Sequence, residues 1–252
     1  MITNDSVRPD HTPTFDAQSV RAVLFDYGST LIEFSQTQLN ALDNALADVL
    51  EKHFGHLDRN RLAALREADR LTPYNDGYRE NDLPAITRNL VCNLYDTEPN
   101  DDLVAELCRA RYEAFVTCIQ LPAYLSELLN KLQKKYRIGL VSNYPDGRAI
   151  RESLQRIGIA NLFDIVVVSG DVGYVKPHPR PFETAIKMLD LPPNEIVFVG
   201  DNWLADIQGA KRAGMQAIWS RQFATPEKFE PKPGDIEPNA QIDHLTELET
   251  LL

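Results

Sequence analysis

Three aspartates lie where carboxylates could act together. Asp26 ends the apolar run Val20–Phe25, whereas Asp201 follows the run Ile196–Val199 after one glycine and precedes Asp206 by five residues. An aspartate that emerges from a buried strand costs free energy unless it is paired or bound to a metal. Carboxylates, waters and phosphate oxygens are the ligands that Mg²⁺ takes in octahedral sites, and a carboxylate can also attack phosphorus to form an aspartyl-phosphate. The residue types therefore suggest a magnesium site and phosphoryl chemistry.

Donors suited to phosphoryl oxygens follow two other apolar runs. Ser142 and Asn143 come directly after Ile138–Val141, and Lys176 lies in the loop that follows Ile165–Val168. A lysine and small hydroxyl or amide donors can hold the oxygens of a phosphoryl group. Ligands of doubly wound sheets bind at the carboxyl ends of the strands, so we expect these side chains and the aspartates to meet at one edge of a sheet.

Apolar runs of strand length alternate with helical stretches along much of the chain. A fifth and weaker run, Gln216–Trp219, follows the four named above. Helical stretches precede or separate the later runs, over Ala123–Tyr136, Gly147–Ile157, Pro179–Leu189 and Trp203–Ala213. This alternation predicts an α/β fold, in which a doubly wound parallel sheet has helices on both faces.

The interval 35–121 interrupts the alternation. It has no strand-like run, and its apolar residues recur at spacings of three and four over four amphipathic stretches, Gln38–Phe54, Asn60–Arg70, Leu83–Tyr95 and Asp101–Ile119. We predict a loose tail at 1–18, an α/β core at 19–34 and 122–252, and an inserted all-helical domain at 35–121. A polar, turn-rich loop is expected at Pro73–Pro84, and a short final helix at Ile242–Leu252.

The composition argues against several classes of protein. In 252 residues, 26 Lys and Arg against 37 Asp and Glu give a net charge of −11, which disfavours a general nucleic-acid binder or a protein of anionic membrane surfaces. The apolar runs are too short to span a bilayer, and the first residues lack the basic and apolar regions of a secretion signal. Three cysteines without a CxxC pair favour reduced thiols. We therefore expect a cytoplasmic enzyme; the sequence carries no signal for an oligomeric state.

Four motifs in order resemble those of the haloacid dehalogenase superfamily with an all-helical type 1 cap. They are FDYGSTL (25–31), IGLVSN (138–143), GYVKPHPRPF (173–182) and VGDNWLADIQGAKRAG (199–214). Each motif follows the appropriate predicted strand, and the helical insert falls in the expected gap. The resemblance implies a Rossmann-like core with the first strand near its centre.

The resemblance also implies a role for each acid. Asp26 matches the nucleophile and a metal ligand, and the backbone carbonyl of Gly28 matches a second ligand. Asp201 matches the acidic ligand to Mg²⁺, and Asp206 matches the second acid of that motif, which often acts through water. The implied reaction is hydrolysis of a small phosphorylated substrate through an aspartyl-phosphate.

Substrate contacts follow from the same comparison. Ser142 and Lys176 match the pair that holds the phosphate in catalysis, with Asn143 beside them. Lys176 would also shield the charges of the carboxylates from one another. In this cap type the loop between the second and third helices often reaches the active site, so we expect Arg79 to contact the substrate.

Gly28 departs from the family pattern. The usual motif has a second aspartate at this position, which protonates the leaving oxygen and later activates water. A substitute acid could come from Glu33 or from the cap. Two alternatives remain beside a Mg²⁺-dependent phosphatase: a weakly active or inactive regulatory protein that binds metal and phosphate, and a metal-independent 2-haloacid dehalogenase. Dehalogenases generally lack the paired acids that Asp201 and Asp206 provide here.

Overall fold

The computed structural model describes residues 15–223 and 231–252. Six strands in these residues form one sheet, ordered β3-β2-β1-β4-β5-β6, in which every neighbouring pair is parallel. The strands are β1 Ala22–Phe25, β2 Arg137–Ser142, β3 Ile165–Val168, β4 Ile196–Gly200, β5 Gln216–Ser220 and β6 Ala240–Ile242. The predicted α/β class is confirmed, and β1 occupies an inner position beside β4. Most of the predicted 1–18 tail lies outside the described residues.

Helices α1 to α4 are inserted between β1 and β2. Their bounds are α1 Gln36–Phe54, α2 Arg59–Asn75, α3 Leu83–Tyr95 and α4 Asp101–Cys118. Each begins where a polar side chain caps the first turn: Ser35 forms a capping box with Gln38, and Asp58, Asp82 and Asn100 each accept a hydrogen bond from the backbone amide three residues further on. We call α1 to α4 the cap helices; the exact limits of a cap domain remain a prediction.

The remaining helices flank the sheet. They are α5 Leu125–Gln133, α6 Gly147–Arg156, α7 Ser169–Val172, α8 Pro179–Leu189, α9 Gly209–Arg212 and α10 Leu248–Leu251, and a π-helical segment, Trp203–Gln208, runs into α9. The prediction of one final helix from Ile242 is wrong in part, because Ile242 belongs to β6 and pairs with Ser220. Its apolar side chain serves equally well on a strand and on a helix, so periodicity could not separate the two.

The boundary between α2 and the following loop also differs from expectation. Helix α2 continues through Pro73 to Asn75, although Pro73 was expected to begin a loop. The loop that follows pairs with the core: Glu80 N donates to Gly173 O at 3.1 Å, and Val175 N donates to Tyr78 O at 2.9 Å. This pair of hydrogen bonds joins the cap to the loop that carries Lys176.

Buried apolar residues pack on both faces of the sheet. Along β1, Val23 and Phe25 belong to one cluster, and Ala22 and Leu24 belong to the other, as the alternation of side chains along a strand requires. A third cluster lies within the cap helices and includes Leu50 and Leu107. No helix among the described residues is long and apolar enough to cross a membrane.

Candidate active site at the carboxyl ends of β1 and β4

Three carboxylates meet at one edge of the sheet. Asp26 follows β1, Asp201 follows the neighbouring strand β4, and Asp206 lies in the π-helical segment after β4. Each contributes a carboxylate oxygen to a group in which all these atoms lie within 4.8 Å of one another. The group opens into a cavity of about 200 Å³, which we call the active-site cavity, lined by Asp26, Gly28, Ser29, Phe34, Tyr74, Ser142, Asn143, Lys176, Asp201, Asn202, Ala205 and Asp206.

Lys176 lies among the carboxylates. Its Nζ donates hydrogen bonds to Asp26 Oδ1 and to Val141 O, both at 2.7 Å, and approaches Asp206 Oδ1 at 2.7 Å. The side chain is only 1 % exposed. Asn143 positions its backbone from both sides, since Asn143 Oδ1 accepts from Lys176 N at 2.7 Å and Asn143 Nδ2 donates to Lys176 O at 3.0 Å. The position of the Lys176 ammonium group is therefore determined by its contacts with Asp26, Val141 and Asp206 and by the hydrogen bonds of its backbone to Asn143.

Burial and mutual charge perturb the ionisation of this group. Burial alone would lower the pKa of Lys176, but the charges of Asp206 and Asp26 raise it above its ordinary value. Burial, together with the charges of Asp26 and Asp206, raises the pKa of Asp201 well above its ordinary value. Burial also raises the pKa of Asp206, with the charge of Lys176 opposing the increase. The single positive charge of Lys176 thus does not compensate the negative charges of three carboxylates.

The donor set fits a divalent cation. Asp206 Oδ1 is buried and has no partner with hydrogen-bond geometry, because its contact with Lys176 has the distance of an ion pair but not the required angles. The other oxygen of Asp206 accepts from Asn202 N at 2.9 Å, and Asp201 Oδ1 accepts from the Thr30 hydroxyl at 3.0 Å. Three ionised carboxylates and one ammonium group would carry a net charge of −2, and oxygen ligands of this kind suit Mg²⁺.

The turn after Asp26 presents Gly28 to the cavity. Its φ lies outside the left-handed region, whereas the next residue, Ser29, has a φ of 62°. Ser29 N donates to Ile32 O at 2.8 Å and the Ser29 hydroxyl donates to Phe34 O at 3.2 Å, so the turn is closed by its own hydrogen bonds. A Cβ atom at Gly28 would lie 3.2 Å from Phe34 Cβ. Glu33, considered as a substitute acid, is exposed and does not line the cavity.

The structure brings together all of the residues singled out from the sequence except Glu33 and Arg79. Ser142 is 5 % exposed and lines the cavity with Asn143. Arg79 does not join them: its side chain is exposed, it does not line this cavity, and its backbone bridges to Tyr174. The expected substrate contact of Arg79 therefore has no support in this geometry.

Helix α6 begins shortly after Asn143 but does not use its side chain as a cap. The cap of α6 is Asp146, whose side chain accepts from Arg148 N and Ala149 N. The side chain of Asn143 is instead engaged with Lys176, as described above, so we expect it to position the lysine as well as line the cavity.

Tyr74 is the cap residue that reaches the active-site cavity. It lies in the last turn of α2, beyond Pro73. Burial raises the pKa of the Tyr74 hydroxyl to about 12, with a hydrogen bond to Asn143 opposing the increase. The sequence predicted that the polar segment Pro73–Pro84 would contact the substrate. Within that segment it is Tyr74, on the continued helix α2, that lines the active-site cavity. Phe34 and Asn202 also line the cavity but were not predicted from the sequence, because Phe34 lies outside the four motifs and Asn202 has no assigned role within the fourth.

Comparisons with known proteins agree with this geometry. A family model described as haloacid dehalogenase-like hydrolase matches residues 20–214. A glyceraldehyde 3-phosphate phosphatase of Methanopyrus kandleri is 29% identical over 232 residues, covering 91% of this chain and 95% of the relative. A phosphoserine phosphatase of Thermus thermophilus is 39% identical over 94 residues, 37% of each chain.

Solved structures match over nearly the whole chain. A 2-haloacid dehalogenase from Pseudomonas syringae pv. Tomato DC3000 superposes with a TM-score of 0.71 at 25% identity, covering 92% of this chain and 97% of the other. The HAD-hydrolase YfnB from Bacillus subtilis, bound to magnesium, superposes with a TM-score of 0.68 at 23% identity and covers 92% of this chain and 98% of the other. With its parallel sheet, its cap helices and the family model matching most of its length, this chain belongs to the haloacid dehalogenase-like hydrolases.

Proposed function

We propose that the protein is a Mg²⁺-dependent phosphatase that hydrolyses a small phosphorylated metabolite through an aspartyl-phosphate on Asp26. The observation that carries this proposal is the group of three carboxylates around a buried lysine, at the carboxyl ends of β1 and β4. The relatives named as phosphatases of glyceraldehyde 3-phosphate and of phosphoserine support the same class of substrate.

Asp26 is the nucleophile in this mechanism. Lys176 binds one carboxylate oxygen, Asp26 Oδ1, which leaves the other oxygen for in-line attack on phosphorus. A bond forms between that oxygen and phosphorus while the bond from phosphorus to the leaving oxygen breaks. Water then attacks the phosphorus of the aspartyl-phosphate, and inorganic phosphate and the Asp26 carboxylate are released. The covalent intermediate divides one difficult hydrolysis into two easier steps.

The remaining residues position the phosphoryl group and balance its charge. Ser142 and Lys176 hold its oxygens, and Asn143 fixes the backbone of Lys176. Asp26, the Gly28 carbonyl and Asp201 would hold Mg²⁺ directly, and Asp206 would act through water, as the family resemblance implies. When bound, the cation supplies positive charge that offsets the repulsion between the nucleophile and the phosphate.

The dehalogenase alternative is less well supported. Displacement of halide by a carboxylate needs no cation, so it gives no reason for the acids Asp201 and Asp206, whose pKa values are raised, or for the buried Asp206 oxygen without a hydrogen-bond partner. The regulatory alternative keeps the same ligands but predicts binding without turnover. The two alternatives and the phosphatase differ in what is released and in whether a metal is needed.

The test compares metal dependence and product in one set of assays. Phosphate release from p-nitrophenyl phosphate should disappear in EDTA, return with added Mg²⁺ and be lost in Asp26→Asn. Asp190→Asn is the matched control, because Asp190 is exposed and its left-handed φ of 51° is one that asparagine also adopts. Phosphate binding without turnover would support the regulatory alternative. Halide release from 2-chloropropionate in EDTA would support the dehalogenase.

A further inference from the structure

A second cavity, of about 210 Å³, lies between the cap helices and the core. We call it the cap cavity. It shares Phe34, Tyr74 and Asn143 with the active-site cavity, so the two adjoin. A substrate whose phosphate lies beside Asp26 would therefore place its other end toward the cap cavity. Its charged lining residues are Arg66, Asp69, Arg70, Glu80 and Arg111.

Three arginines line the cap cavity, and they differ in their partners. Arg66 Nε lies 3.4 Å from Asp43 Oδ1, and Arg70 forms an ion pair with Glu67. Arg111 is buried, at 8 % exposed, and has no carboxylate within ion-pair distance among the described residues. Its guanidinium lies over the ring of Tyr144, with Cζ 5.7 Å from the ring centroid, and its Nε has no hydrogen-bond partner.

Two buried guanidinium groups near one another need a nearby anion. Burial and the charge of Arg111 lower the pKa of Arg66 to about 10, with the charges of Asp43 and Asp69 opposing the decrease. The acids of the cavity wall act on Arg111 only through space and not by direct pairing. Glu80 accepts from Asn81 N and from the Ser169 hydroxyl, and burial raises the pKa values of Glu80 and Asp69, with the charge of Arg111 opposing both increases. A buried charge without a paired partner is costly, so the apo cavity favours an anionic ligand.

We propose that the cap cavity binds a carboxylate at the end of the substrate opposite the phosphate, with Arg111 as its principal partner. This inference rests on the proposed phosphatase function and names the substrate class for the same site. The planar guanidinium suits the two oxygens of a carboxylate. A single arginine without an acidic partner matches a monoanion better than a second phosphate. The small volume admits a short chain, so the substrate class is a phosphorylated hydroxy acid of a few carbons.

The first test measures binding with a pair of probes of equal length. Phosphoglycolate carries a carboxylate two carbons from the phosphate oxygen, and 2-hydroxyethyl phosphate has a neutral hydroxyl in its place. Calorimetry with Mg²⁺ on the Asp26→Asn protein avoids consumption of either ester. We expect phosphoglycolate to bind about 10- to 100-fold more tightly, the usual range for hydrogen bonds to a charged group. Equal affinity for the two probes would overturn the inference. This comparison requires no substitution in the cap helices.

A second arm assigns the preference to Arg111. In the Asp26→Asn protein, Arg111→Met should reduce the ratio of the two affinities to near unity. Arg111→Lys keeps the charge but loses the paired N–H donors of the guanidinium, so it should retain part of the preference for phosphoglycolate. Arg109→Met is the matched control, because Arg109 is exposed on the same helix, and it should keep the full preference. A preference that survives Arg111→Met would overturn the assignment. The unmodified protein is assayed for hydrolysis of the two esters and of p-nitrophenyl phosphate. If the binding preference is present but none of these is hydrolysed, the phosphatase proposal fails and the carboxylate site stands.

Discussion

In the proposed mechanism Gly28 stands where the family motif has its general acid, so we expect Gly28→Asp to supply a proton donor. The backbone permits the change, because φ at Gly28 is outside the left-handed region and the strained residue of the turn is Ser29. The proposed metal contact of residue 28 is through its carbonyl, which every side chain leaves in place. The substitution thus adds a carboxyl group beside Asp26 without removing a proposed ligand.

The cost and the gain can be estimated separately. The new Cβ would lie 3.2 Å from Phe34 Cβ, so Phe34 must move by a few tenths of an ångström. We expect a loss of about 1 kcal/mol in the free energy of unfolding, at the low end of the cost of overpacking. A positioned general acid contributes about 10²- to 10⁴-fold to the rate. We expect about 10²-fold on alkyl phosphates, because the new carboxyl lacks neighbours that would tune its pKa.

The assay is a series of phosphate esters that differ in leaving-group pKa, from p-nitrophenyl phosphate to alkyl phosphates. The unmodified protein should show a steep fall in kcat/KM as the leaving-group pKa rises, because nothing protonates a poor leaving oxygen. Gly28→Asp should flatten this dependence by raising the rates of the alkyl esters while changing p-nitrophenyl phosphate little. Gly28→Asn is the matched control, since it has nearly the same size and cannot act as a carboxylic acid.

Two results would refute this reasoning. A flat leaving-group dependence in the unmodified protein would mean that another residue already donates the proton, and Tyr74 is the cap residue in the cavity with a proton to give. Equal rates for Gly28→Asp and Gly28→Asn would mean that the change acts through packing against Phe34 and not through acid catalysis.

Three further predictions follow from the site and its surroundings. Asp201→Asn should weaken Mg²⁺ binding by about tenfold or more in calorimetry, because it removes a charge from a hard-cation site; unchanged affinity would exclude Asp201 as a ligand. Lys176→Met should lower the free energy of unfolding in EDTA by about 3–5 kcal/mol in urea titrations, because it leaves buried carboxylates uncompensated, whereas Lys187→Met, at an exposed position of α8, should change it little. Burial raises the pKa of Glu80 in the folded protein, so its ionised form opposes folding at high pH and this penalty disappears as the pH falls. Glu80→Gln should therefore raise Tm at pH 8, and the difference should shrink on acidification toward the ordinary pKa of glutamate; a gap of constant size would contradict the sign.

The core of the site was predictable because its residues follow strands that the sequence marks clearly. Asp26 and Asp201 end apolar runs, and a parallel sheet brings the carboxyl ends of such runs to one edge. Lys176 was predictable only through the family motif, since its position depends on the loop after β3 and on the hydrogen bonds from Asn143. No local pattern marks a lysine as buried.

The cap was predictable as helices but not as a binding surface. Arg66 and Arg111 are ordinary polar residues in the helical pattern. Arg66 is buried where α2 packs against α1 and α3, and Arg111 is buried where α4 packs against α1 and the core helix α6. Arg79 was the reverse case: a loop arginine that looked available for a ligand is turned to solvent. Which side of a helix or loop faces a second domain is a property of the packing, and periodicity within the element does not determine it.

The two backbone hydrogen bonds between the cap loop and the core give a way to follow substrate entry. Their donors, Glu80 N and Val175 N, lie on opposite sides of the contact, so both amides should lose protection together whenever the cap separates from the core at this edge. Val175 directly precedes Lys176, and any such separation therefore releases the backbone next to the lysine that we propose acts in catalysis. Hydrogen exchange at these two amides would report the rate of opening, and slower exchange with a bound phosphoglycolate would measure how strongly a ligand keeps the lysine loop and the cap together.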